Sequence, residues 1–127
     1  MYRLPYFIQK VSSMTIEKMQ ELYNNLVKAS VGYVVFQRRD NTEMVRQEIA
    51  LIQEFVTWVM KESSSEMEQD LYEAMCRDLL TILQDLLTAL EQDDKVLMYD
   101  TLEYGFIPYL ECFLENSREG VENNDSV

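Results

Sequence analysis

The chain has 127 residues, 47% of them hydrophobic, with 23 acidic and 11 basic side chains and a formal net charge of −12. It is too apolar for a disordered protein, and three Gly and two Pro are too few for the turns of an all-β fold. Histidine is absent, which removes Ser/His/Asp and Cys/His triads, paired-His zinc and the common di-iron bundle site, and the acidic balance argues against nucleic acid.

The charge is uneven. Residues 1–39 hold six basic groups against two acids, a net of +4, and residues 40–127 hold five against 21, a net of −16. Such asymmetry means either a basic first helix packed beside acidic neighbours or a polarised binding surface. The first residues carry no signal-peptide pattern, and no apolar run approaches the ~20 residues that span a bilayer. The expectation is a cytoplasmic protein with no membrane partner.

Residues 1–13 form an N-terminal segment in which Tyr2, Leu4, Tyr6, Phe7, Ile8 and Val11 are too apolar to face water. It is expected to lie on the body of the protein, with a short helix after Pro5. The domain proper is residues 14–116. Over 15–36, Ile16, Met19, Tyr23, Leu26, Ser30 and Tyr33 recur at alternating 3,4 spacing, with Leu22, Ala29 and Val34 beside them, which predicts a first helix. Asp40 with Glu43 reads as a capping box for a second helix over 41–62, whose apolar set is Val45, Ile49, Ile52, Val56 and Val59. Glu48 falls inside that apolar arc. It is either buried against Arg38, Arg39 or a tyrosine hydroxyl, or close enough to the helix start to reach water.

A serine break with a second capping box, Ser65 and Glu68, opens a third helix over 66–92. Two stripes run along it: Tyr72/Met75, Leu79, Ile82 and Leu86, then Cys76, Leu80, Leu83, Leu87 and Leu90. Two adjacent stripes predict contact with two neighbours. Asp93 or Asp94 caps a fourth helix over 95–116, in which Pro108 should kink the helix or interrupt a backbone bond, helped by Gly105. Residues 117–127 lack any period and read as a disordered tail. Four helices joined by short breaks predict an all-α fold, an antiparallel four-helix bundle with the N-terminal segment packed on it.

On the fourth helix Met98, Tyr99, Leu102, Phe106, Tyr109, Leu110, Cys112 and Phe113 share the face assigned to the core. Asp100, Glu103 and Glu111 gather opposite. They are read as a solvated acidic face rather than metal ligands, because three carboxylates on one open helix rarely close a site. Tyr104 and Ile107 intrude on that face. They mark a partner or dimer surface, unless the N-terminal segment covers them. Cys76 and Cys112 lie at matching distances from the turn at 93–94, which permits a disulfide but in a reducing compartment makes them small core residues. Of the eight Met residues, Met19, Met75 and Met98 fall on core faces. No phosphate loop, nucleophile motif or cofactor motif is present, so no cofactor or metal is expected.

Residues 75–114 resemble the C-terminal helical hairpin of a poorly characterised family of small bacterial helical proteins. The likeness is carried by Leu90-Glu-Gln-Asp-Asp-Lys-Val-Leu-Met-Tyr-Asp-Thr-Leu-Glu-Tyr-Gly-Phe-Ile-Pro-Tyr-Leu. No activity transfers with it. The N-terminus, with Tyr2, Tyr6, Val11 and Thr15-Ile-Glu-Lys-Met-Gln-Glu-Leu-Tyr23, is similar in style to the flagellin export chaperones. It lacks their cap proline, Ile16 standing there, and is one residue short before Tyr23. That likeness implies a bundle that wraps a helical export substrate, with Tyr2, Tyr6 and Phe7 covering part of its apolar surface.

The expected function is therefore a non-enzymatic protein-interaction module, a chaperone or adaptor linked to motility or export. Its candidate partner-binding residues are Tyr104, Ile107, Asp100, Glu103, Glu111, Tyr2, Tyr6 and Phe7. The alternatives are a structural homodimer through Tyr104 and Ile107, and a metal-binding or enzymatic bundle.

Overall fold

The computed structural model describes residues 14–62 and 67–125, with side chains described for 14–61 and 67–116. The N-terminal segment with Tyr2, Tyr6 and Phe7, the Ser65 cap and the last two residues lie outside the described residues. The described part is all helical, and none of it is in a strand. The helices are α1 (Ile16–Val34), α2 (Asn41–Arg46), α3 (Ile49–Glu62), α4 (Gln69–Gln92), α5 (Lys95–Thr101) and α6 (Ile107–Asp125), with a π-helical turn, Leu102–Phe106, joining α5 to α6.

Thr15 starts α1: its hydroxyl accepts from the Lys18 amide at 3.1 Å, satisfying one of the orphaned first-turn donors. Met19, Leu22, Leu26, Ala29 and Ser30 are buried, as the spacing predicts. Ile16 and Val34, at the two ends of the helix, are exposed instead. The expected box at Asp40 does not form. Asp40 makes no cap bond; its Oδ2 accepts from Arg38 Nη2 at 2.8 Å, and Glu43 turns to Arg46 at 3.4 Å. Nearby cations outcompete the backbone amides for both carboxylates. Glu68 likewise precedes α4 and makes no side-chain cap bond.

The second predicted helix is divided. The Glu48 amide bonds to the Val45 carbonyl three residues back at 2.9 Å, a tightened turn that ends α2 before α3 begins. The apolar spacing survives the break, so Val45, Ile52, Phe55, Val56 and Val59 still share the core. Glu48 is half-buried at this break and accepts from Asn25 Nδ2 at 3.0 Å, so its partner is an amide on α1 and not an arginine or a tyrosine.

Side-chain pairs fix the direction of each helix against the next. Lys18 meets Glu54 at 2.8 Å and Asn25 meets Glu48, so α1 runs opposite to α2 and α3. Tyr72 donates to the Val59 and Met60 carbonyls at one end of α4. At its other end Arg46 donates to the Leu90 carbonyl, and Thr42 and Lys95 converge on the Asp93 carboxylate. Tyr109 reaches Asp78 at 2.6 Å, running α6 back along α4. Tyr33 and Tyr99 sit with rings 5.5 Å apart, where the end of α1 meets the start of α5.

The core between these helices is built on Phe55, which has no exposed surface. Its ring takes edge-on contacts with Phe106 at 5.6 Å and Phe113 at 5.5 Å, and Trp58 lies 6.1 Å away. Leu22, Leu26, Ile52, Leu79, Leu86, Met98, Leu102 and Leu110 are equally closed to solvent. Each such side chain is worth roughly 1.5–3 kcal/mol of transfer free energy, set against the entropy of ordering it.

Pro108 acts on the turn before it. It has no amide, and its ring crowds the carbonyl four residues back. The preceding turn widens to relieve this, and the Ile107 amide bonds to the Leu102 carbonyl five residues back. The helix therefore continues through the proline. The extra residue rotates everything downstream by about 100° around the axis. Gly105 permits the close approach: a Cβ there would stand 3.3 Å from Ile82 Cγ1. The rotation explains corrections on either side of Pro108, Ile107 among them. Leu114, expected on the acidic face, is buried, and Cys112, expected in the core, is exposed. Cys76 is half-buried, and both thiols are free. The backbone of α6 runs on to Asp125, over a stretch where the sequence pattern predicts a tail without structure.

Candidate interaction surfaces

The helix pair α4 and α6 leaves an apolar groove of about 480 Å³. Met67, just ahead of α4, is followed on that helix by Leu71, Ala74 and Met75, stepping along one face at 3,4 spacing. Cys112 and Phe113 on α6 form the opposite wall. Phe113 also belongs to the core, with its ring 5.6 Å from Trp58, so the groove floor is continuous with the packed interior. Leu71 is 60% exposed at the rim. One end is closed by the bond that Tyr109 donates to Asp78 Oδ2. Burial pushes the Tyr109 hydroxyl up to about 12, with the Asp78 hydrogen bond and charge adding to it. Asp78 is the one charged residue in the lining, and Asp70 and Arg77 stand exposed beside that face on α4.

The sequence pattern does not single out this groove. It assigns Tyr109, Cys112 and Phe113 to the core, whereas Tyr109 and Phe113 are half-buried against it and Cys112 is exposed. Leu71 lies outside both α4 stripes, and that unplaced leucine is the one trace of the groove in the sequence. Of the second stripe on α4, Leu90 is buried, Cys76 and Leu83 are half-buried, and Leu80 and Leu87 are exposed.

Among the residues expected to bind a partner, Tyr104 is 76% exposed, but Ile107 is only 5% exposed. The widened turn rotates Ile107 from the acidic face into the core, so a dimer surface made of the two side by side does not exist. Asp100 and Glu103 are exposed and flank Tyr99. Burial raises the Tyr99 hydroxyl above its ordinary range, and the charges of Glu103 and Asp100, with Tyr104, push it the same way. Tyr99 also takes an edge-on contact from the Tyr104 ring at 6.4 Å. Glu111 is exposed and lies past the π turn, where it borders a small hollow with Tyr23, Leu114 and Glu115. The structure thus gathers Asp100, Glu103 and Tyr104 around Tyr99 and sets Glu111 beside α1.

Among the described residues no group of three or more Cys, Asp or Glu is placed to hold a metal ion. No helix among them is long and apolar enough to cross a membrane. Comparison with protein-family models, curated proteins and solved structures finds no match to this chain.

Proposed function

We propose that the chain is an antiparallel four-helix bundle that works in the cytoplasm as a non-enzymatic protein-interaction module, a chaperone or adaptor. The opposed directions of α1, α2–α3, α4 and α5–α6 support the bundle. The observation that carries the function is the α4–α6 groove, an open apolar channel with the Asp78 carboxylate in its wall, on a chain of net charge −12. It suits the apolar face of an amphipathic helix whose flanking residues are basic. A link to motility or export rests on the N-terminal likeness to flagellin export chaperones.

Trp58 is the only tryptophan and touches Phe113 in the groove floor, so its fluorescence reports occupancy directly. A synthetic amphipathic helix with a leucine face and lysine flanks is expected to shift that emission saturably. Leu71→Ser, at an exposed position that folding does not need, is expected to weaken binding roughly tenfold. Equal binding to wild type and Leu71→Ser would rule the groove out as the site.

A further inference from the structure

The opposite end of the molecule carries a second apolar surface of the other charge. Between Leu22 and Arg39 the chain has no carboxylate and three cations, Lys28, Arg38 and Arg39. There the last turns of α1 and the start of α2 enclose a hollow of about 400 Å³, lined by Val27, Val31, Phe36 and Met44, with Lys28 and Arg38 at its edge. Phe36 is 69% exposed, and Val34 and Val35 beside it are also exposed. A run of three large apolar side chains in water is costly unless something covers it.

The tip is held in place. The Val35 amide bonds to the Val31 carbonyl at 2.8 Å, and the Arg38 amide returns to the Gly32 carbonyl at 2.9 Å. Gln37 takes the left-handed backbone, φ 56°, that this reversal requires. Arg38 Nη2 is fixed on Asp40 at 2.8 Å. Three of the acids at this end are already matched, Asp40 with Arg38, Glu43 with Arg46 and Asp93 with Lys95. Lys28 lines the hollow and Arg39 follows Arg38 in the chain; neither makes an ion pair among the described residues, and no carboxylate lines the hollow.

We propose that this tip docks an acidic amphipathic segment of a partner protein, an apolar anchor seating in the Val27–Phe36–Met44 hollow and carboxylates meeting Lys28 and Arg39. The molecule then has two docking ends of opposite charge, one for a basic helix and one for an acidic helix, as an adaptor joining two chains requires. The tip's evidence is separate from that of the α4–α6 groove, and either can fail alone. A second copy of the chain and an anionic membrane are the competing occupants, and the test distinguishes them.

The probe is a fluorescent synthetic amphipathic helix with a leucine and phenylalanine face and glutamate flanks, followed by anisotropy with the full chain. Wild type is expected to bind it, and Phe36→Ser and Lys28→Glu each to weaken binding roughly tenfold or more. Leu71→Ser should leave it unchanged, and added salt should weaken it. Circular dichroism of Phe36→Ser should match wild type, because Phe36 packs into no core. Binding that is indifferent to Phe36→Ser and Lys28→Glu overturns the proposal. So does Phe36-dependent binding to phosphatidylserine vesicles without binding to the peptide. Concentration-dependent self-association abolished by Phe36→Ser overturns it in favour of a second copy.

Discussion

Phe55 is the residue on which the packing scheme is most exposed to test. Its ring has no solvent-accessible surface and meets Phe106, Phe113 and Trp58, so it joins α3 to the π turn and to α6. Truncation to alanine removes a fully buried aromatic, which costs about 3–5 kcal/mol through lost transfer energy and an incompletely refilled cavity. The edge-on contacts with Phe106 and Phe113 are worth about 0.5–1.5 kcal/mol each beyond area, which places Phe55→Ala towards the upper part of that range. A domain of this size has about 5–15 kcal/mol in total, so the variant should be folded but close to failure at physiological temperature. Phe55→Leu, which keeps most of the volume, should cost only about 1–2 kcal/mol. Urea unfolding followed by far-ultraviolet circular dichroism gives the magnitude, with Trp58 emission as a second probe. A double-mutant cycle with Phe106→Leu should show coupling of about 0.5–1.5 kcal/mol. A loss below about 1.5 kcal/mol for Phe55→Ala would mean that α6 does not close over this ring, and the groove beside Phe113 would lose its floor.

Ile107→Glu should unfold the domain or cost at least about 3 kcal/mol, because it sets an unpartnered carboxylate in the core, whereas Tyr104→Ser should stay within about 0.5 kcal/mol. Thermal melts of the pair decide it, and the reverse order would restore a straight helix through residues 102–107. Asp94 accepts from the Leu97 amide at 3.0 Å, so Asp94→Ala should cost about 1 kcal/mol in urea titration and Asp94→Ser should recover most of it. The Tyr109 hydroxyl is raised to about 12, so the folded state holds its proton after the unfolded chain has lost it. Its contribution is present below the ordinary tyrosine value near pH ~10 and is lost as pH rises towards about 12; Tyr109→Phe should flatten that alkaline slope. Asp93 is held below the ordinary carboxylate range by its hydrogen bonds with Lys95 and Thr42. Its contribution is therefore present above that range and lost as pH falls through the folded value, and Asp93→Asn should remove that part of the acid dependence.

The helices and most of their inward faces were legible in the spacing of apolar residues. A period near 3.6 places Leu22 with Leu26, Ile52 with Val59, and Leu79 with Leu86, whatever they touch. The turn at Asp93 and Asp94 was legible for the same local reason, since a carboxylate one residue before a helix can reach a first-turn amide. The capping box at Asp40 was not, because the rival partner Arg38 takes the same oxygen only once the loop has folded back on Gly32.

The candidate sites were legible least. An exposed position and a core position look alike in sequence until the neighbouring helix is placed. Leu80 and Leu90 occupy one stripe of α4, yet Leu80 is exposed and Leu90 buried. Past residue 106 the difficulty is geometric. One added residue in the turn ahead of Pro108 shifts the phase of α6, taking Ile107 and Leu114 inward and Cys112 outward. The sequence by itself determined an all-helical chain, the inward faces of its regular stretches and an acidic exterior with a basic first third. Tertiary structure decided which apolar residues were left over, the groove at Leu71 and the tip at Phe36, because burial depends on what lies opposite a side chain and no local period encodes that.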